Sequence, residues 1–142
     1  MTVSAAPIRV LFLCTHNSAR SQMAEALLRH IGNERFDVQS AGTDVTRVHP
    51  LAVAAMADVG INISSARSKH LNEFVGDDFD YVITVCDAAN ESCPIFPGDP
   101  QRIHWSFPDP SAVEGSDAQR ARAFAKVRDE ITFRLRTWMQ LF

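Results

Sequence analysis

Only three cysteines occur in 142 residues, at positions 14, 86 and 93, and that scarcity excludes a scaffold built on disulfides. No apolar run approaches the ~18 residues of a membrane span. Val10 to Cys14 comes nearest at the N-terminal end, and polar residues interrupt it at once. Met1 to Pro7 has no basic n-region, so a cytoplasmic protein with no membrane contact is expected. Basic residues are in deficit, 14 Lys and Arg against 17 Asp and Glu for a formal charge of -3, which argues against nucleic-acid binding. Internal repeats, low-complexity tracts and linkers are also missing. With 46% hydrophobic and 22% charged residues, the composition is that of a globular protein. Residues 1–142 are expected to form a single domain, and the expected assembly is a monomer.

The pattern that is present alternates strands with helices. Ile8 to Leu13 is a nearly continuous apolar run, as in a strand buried on both faces. Ser21 to Ile31 repeats apolar residues at helical spacing, and Gly32 is placed to end that helix in a left-handed conformation. Phe36 to Ala41 reads as a second strand, Pro50 to Val59 as a second helix with Gly60 at its end, and His70 to Phe74 as a short helix. Tyr81 to Val85 is another β-branched run, and Arg102 to Phe107 a shorter strand. Ser116 and Gln119 form a capping-box signature. From there Phe124, Val127, Ile131, Leu135, Trp138 and Phe142 step along one face of a long last helix. The basic residues Arg120, Arg122, Lys126, Arg128, Arg134 and Arg136 are expected on its solvated side. The fold class is therefore α/β, a four-stranded parallel open sheet with helices on both faces, and its site belongs in the crevice beyond the strands' carboxyl ends.

Two strands deliver cysteines to that edge, Cys14 after the first and Cys86 after the third. Cys14, Thr15, His16, Asn17, Ser18, Ala19, Arg20 and Ser21 have the spacing C-x5-R followed by a hydroxyl residue. Backbone N–H groups of such a loop and the positive end of the next helix can converge on a tetrahedral oxyanion, and Arg20 adds a bidentate guanidinium. The same field favours thiolate, taking a cysteine from a pKa of ~8.5 to between ~3.5 and ~7.5. Asp109 stands between Pro108 and Pro110, whose fixed φ angles stiffen the loop. It reads either as turn chemistry or as a proton donor to a departing oxygen.

The stretch Cys14 to Ser21 resembles the phosphate-binding loop of the low-molecular-weight protein tyrosine phosphatase superfamily. Within it, CTHNSARSQMAEALL together with SAGT at Ser40 to Thr43 is similar to the bacterial arsenate reductases, and the resemblance covers nearly the whole chain. It implies that Cys14 is the nucleophile, that the loop from Cys14 to Ser21 with Arg20 holds the anion, and that Asp109 is the acid. It further implies a relay. Cys86 attacks the sulfur of an arsenate-bearing Cys14, arsenite leaves, and Cys93 takes the disulfide over from Cys14. The expected partners are arsenate, with phosphate or sulfate as mimics, and an external thiol reductant in place of a tightly bound cofactor; the six-residue spacer between Cys86 and Cys93 points to thioredoxin rather than glutathione with glutaredoxin, or mycothiol.

The alternative is a phosphatase hydrolysing phosphate monoesters, against which Ser111 and Ala112 stand where phosphatases carry an aromatic residue. A zinc site from Cys86, Cys93 and His104 would want a C-x2-C pair that the sequence lacks. Cys86 and Cys93 also admit a plainer reading, as a buried strand-end thiol and a bystander. Some relatives hold a monovalent cation through residues equivalent to Asn17, Glu25 and Ser40. Lys69 falls near the fourth position, where an ammonium would replace the cation, and no metal is expected.

Overall fold

The computed structural model describes residues 6–87, 96 and 98–142. Strands β1 (Ile8–Leu13), β2 (Phe36–Ala41), β3 (Tyr81–Thr84) and β4 (Gln101–His104) form one parallel sheet in the order β2-β1-β3-β4. β1 sits between β2 and β3, so Val10 to Leu13 are buried without the alternation of a half-exposed strand. Side chains alternate across the pleat, and Phe12 stacks on Trp105, which meets Trp138 of the last helix. On the opposite face Arg9 lies over Phe79, whose ring packs edge-on against Phe74 and Phe96.

Among the described residues, three α-helices follow the expected positions: α1 (Arg20–Gly32), α2 (Pro50–Ala57) and α3 (Asp117–Met139). The 70–74 segment forms only a 3-10 turn, Leu71–Glu73. α2 starts with Pro50 at its first position, where the missing N–H costs nothing. It closes with Gly60 at φ +80°, Gly60 N–H bonding Ala57 O and Ile61 N–H bonding Met56 O, the paired bonds of a Schellman ending. Gly32 departs from expectation. Its φ is -86°, and the left-handed residue is Asn33 at +50°. Glycine is needed at 32 because a Cβ there would run into the Phe36 ring.

α3 begins with both halves of the capping box between Ser116 and Gln119, and buries Phe124, Val127, Ile131, Leu135 and Trp138. Phe142 lies beyond the helix end and packs on Trp138, Tyr81 and Phe36. Arg128 is not on the solvated side. Its side chain is 11% exposed and donates to Ala55 O at 2.8 Å, tying α3 to α2. A guanidinium can do this while its stem packs on apolar surface.

Candidate active site

β1 runs straight into the 14–19 loop, and α1 leaves it at Arg20. The loop is shaped from outside, by partners on its carbonyls. Thr15 O accepts from Thr43 N–H and Asp44 N–H, both at 2.9 Å, and Ser18 O from His49 N–H at 2.9 Å. Asn17 O accepts from Ser68 Oγ at 2.8 Å and Gln22 Nε2 at 3.2 Å. With those carbonyls turned outward, the N–H groups of His16 to Arg20, which bond no group among the described residues, are free to converge on an anion. Cys14 N–H instead bonds Ala41 O at 3.2 Å, and Thr15 N–H bonds Cys86 Sγ at 3.3 Å.

Asn17 is the hub that holds this shape. It has φ +48°, a conformation asparagine tolerates better than most residues, and it is fully buried. Its Nδ2 donates to Ser21 Oγ at 2.8 Å and Ser40 Oγ at 2.9 Å, and its Oδ1 accepts from Gln22 Nε2 and Lys69 N–H, each at 2.9 Å. Ser40 Oγ in turn donates to Glu25 Oε1 at 2.8 Å. The ammonium expected at Lys69 is there, 3.2 Å from Glu25 Oε1, with both side chains nearly buried. Among the described residues no cluster of three His, Cys, Asp or Glu could hold a metal.

Gly42 backs the loop so closely that a Cβ would sit 2.5 Å from Thr15 O, 2.7 Å from Cys14 O and 2.9 Å from Asn17 N. Those are backbone atoms that cannot rotate away. Gly42→Ala is therefore expected to displace the loop and weaken phosphate binding at least ten-fold, by titration calorimetry, with a stability loss of about 1–3 kcal/mol in urea unfolding.

The loop opens into a small cavity of about 110 Å³, lined by Cys14, His16, Ser18, Ala19, Arg20, Thr46, Asp109 and Ser111. Arg20 Nη1 donates to Phe107 O at 3.0 Å, and Nη2 stands 3.8 Å from Asp109 Oδ2. The arginine thereby draws the 107–111 segment over the loop. Asp109 Oδ1 accepts from Ser111 N–H at 2.9 Å and Ser111 Oγ at 2.6 Å, capping the 3-10 turn Pro110–Ala112. Burial works to raise the Asp109 pKa, but the Ser111 hydroxyl and N–H, Arg20 and His16 outweigh it and hold it below the ordinary carboxylate value. A lowered folded-state pKa contributes stability that is present above the unfolded value and lost as pH falls through the folded one. Asp109→Asn is expected to flatten the acid side of the melting-temperature profile while leaving the neutral side in place, by calorimetry between pH 3 and 7.

Cys14 and Cys86 are both buried, and their side chains are hydrogen-bonded to each other. This contact changes the thiolate expectation. The hydrogen bond to Cys86 and then burial push the Cys14 thiol up, against the pull of Arg20 and the Thr15 N–H. The contact with Cys86 therefore favours the protonated form of Cys14. Cys93 lies outside the described residues. His16 points to the rim, its Nδ1 2.9 Å from Asp44 O.

Sequence reading missed the outer pins. Gln22, Ser68 and the 43–44 amides lie 5 to 51 residues from their loop partners. Only Gln22, a polar residue inside the apolar face of α1 and 1% exposed, left a trace in the pattern.

The model of the low molecular weight phosphotyrosine protein phosphatase family matches residues 9–142. The chain belongs to this family. Among curated family relatives, an arsenate reductase of Halalkalibacterium halodurans is 40% identical over 131 residues, covering 92% of this chain and 94% of that protein. A solved arsenate reductase in its oxidized state superposes with TM-score 0.78 at 32% identity, covering 91% of this chain and 94% of that one. The thioredoxin-dependent arsenate reductase of Corynebacterium glutamicum superposes with TM-score 0.72 at 32% identity. That match covers 97% of this chain and 63% of that longer one.

Proposed function

We propose that the chain reduces arsenate to arsenite, with Cys14 as nucleophile, Arg20 and the loop amides as the anion holder, Asp109 as proton donor, and Cys86 then Cys93 as the relay. The observation that carries this reading is the second buried thiol, Cys86, hydrogen-bonded to Cys14 at the floor of the anion loop. Hydrolysis of a phosphate ester has no use for it. The cavity's size and its serine at 111, with no aromatic wall, also suit a bare oxyanion better than an aryl phosphate.

Arsenate enters against Arg20 and the amides of His16 to Arg20. Its negative charge beside Asp109 reverses the balance that keeps that carboxyl ionised, raising its pKa and readying it as an acid. Cys14 Sγ attacks arsenic, one oxygen leaves as water with the thiol's proton and one from the acid, and a Cys14–arsenic(V) ester remains. Cys86 then gives its proton to an oxygen on arsenic and attacks Cys14 Sγ. The sulfur–sulfur bond forms, the sulfur–arsenic bond breaks with its electron pair left on arsenic, and arsenite departs. The two electrons that reduce arsenic come from the two thiols. Thiol exchange by Cys93 passes the bridge to Cys86–Cys93, where an external dithiol of the thioredoxin kind reduces it.

The test is steady-state arsenite production with thioredoxin and its reductase, compared with glutathione–glutaredoxin and with p-nitrophenyl phosphate hydrolysis. Thioredoxin-supported turnover is expected, with the ester hydrolysed far more slowly. Rapid ester hydrolysis that survives Cys86→Ser, without arsenite, would instead support the phosphatase.

A further inference from the structure

One side-chain cluster beside the site has no part in the chemistry above. His104, the last residue of β4, pairs in register with Thr84, the last residue of β3. Its Nδ1 lies 2.7 Å from Thr84 Oγ1 and its Nε2 2.8 Å from Asp87 Oδ1. Thr84 is buried at the end of its strand, Asp87 is largely exposed, and the imidazole between them is only 29% exposed. A carboxylate only accepts, so Nε2 carries a proton and donates it to Asp87, leaving Nδ1 for the threonine hydroxyl. The ring thus fastens both ends of the short stretch that holds Val85 and Cys86. Val85 is itself anchored by its N–H to Leu13 O at 2.9 Å, and Trp105 N–H holds Thr84 O at 2.8 Å. The imidazole thus ties Asp87, and with it the exit from Cys86, back to the end of β3.

We propose that His104 is a positioning residue for the second thiol: by bridging Thr84 and Asp87 across Cys86, it holds Cys86 Sγ in line with Cys14. The inference rests on the arsenate reductase reading. In that reaction the step it serves is the second one, in which Cys86 bonds Cys14 Sγ and arsenite leaves with the electron pair. It does not touch arsenate, so anion binding is independent of it. A loss of alignment of this kind costs about ten- to a hundred-fold in rate.

Two measurements on the reduced full chain test this. In a single turnover with arsenate, His104→Ala is expected to slow arsenite release about ten-fold or more, while phosphate affinity stays within two-fold of the parent. His104→Gln, whose amide can still donate to Asp87, is expected to recover most of the rate, a rescue that a merely structural role would not give. Asp87→Ala, at an exposed position, removes the acceptor and supplies a second variant should His104→Ala fail to fold, and it is expected to slow release in the same direction. The second measurement needs no arsenate. In a Cys93→Ser background, closure of the Cys14–Cys86 bridge by diamide is expected to slow in parallel. Arsenite release and diamide closure at parental rates in folded His104→Ala, or in Asp87→Ala, overturn the proposal. A parent that releases no arsenite, yet closes its bridge faster than the variants, overturns the reductase reading and leaves the positioning role supported.

Discussion

Cys14→Ser is expected to release no measurable arsenite, a loss on the order of 10⁴-fold or more, while phosphate still binds. The serine hydroxyl is a far weaker nucleophile at neutral pH than the more polarisable and more acidic thiol. An oxygen ester of arsenic could not be relieved by Cys86 in any case, because an oxygen–sulfur bond would have to form in place of the disulfide. The anion holder is unaffected, since Arg20 and the amides of His16 to Arg20 do not depend on Cys14 Sγ. Single-turnover arsenite release and phosphate titration on one preparation separate the two properties. Release from the serine enzyme at more than a hundredth of the parental rate would remove Cys14 from the centre of the mechanism.

Arg20→Lys is expected to cost 10²- to 10³-fold in kcat/KM for arsenate, the loss typical of removing one oxyanion donor. Charge is retained, so a purely electrostatic role would predict a small effect. The guanidinium does two things that an ammonium cannot do together. Its Nη1 donates to Phe107 O at 3.0 Å, and Nη2 stands 3.8 Å from Asp109 Oδ2, while the planar fork can still face a tetrahedral anion. Lysine would hold either the anion or the 107–111 segment. Much of the loss should therefore appear in KM, with a further fall in kcat because Asp109 is no longer drawn over the loop. A change under five-fold in kcat/KM would contradict this.

What could be read in advance were features set by local physics. β1 and β3 announce themselves as continuous apolar runs because both their faces are covered, and the cysteines at their ends follow from that. α3 is visible through its capping box and its 3.6-residue apolar stripe. The 14–21 loop is visible because chemistry and spacing sit in one short stretch. What could not be read depends on contacts distant in sequence. Gly32 carries the signal of a left-handed helix end, yet the Phe36 ring is what requires a glycine there. Arg128 fits a solvated face until Ala55 O is placed beside it. Cys14 looks like a pre-ionised thiol when only its own loop is considered. Cys86, 72 residues away in the chain, reverses that direction.

The most direct test mixes fully reduced protein with arsenate and no added thiol, and counts arsenite released and thiols lost in one turnover. The account predicts about one arsenite per chain, two thiols lost, and a bridge mapped by mass spectrometry to Cys86–Cys93, with a Cys14–Cys86 bridge accumulating instead in Cys93→Ser. Arsenate left unreduced with all three thiols intact, from a protein that binds phosphate normally, would contradict it.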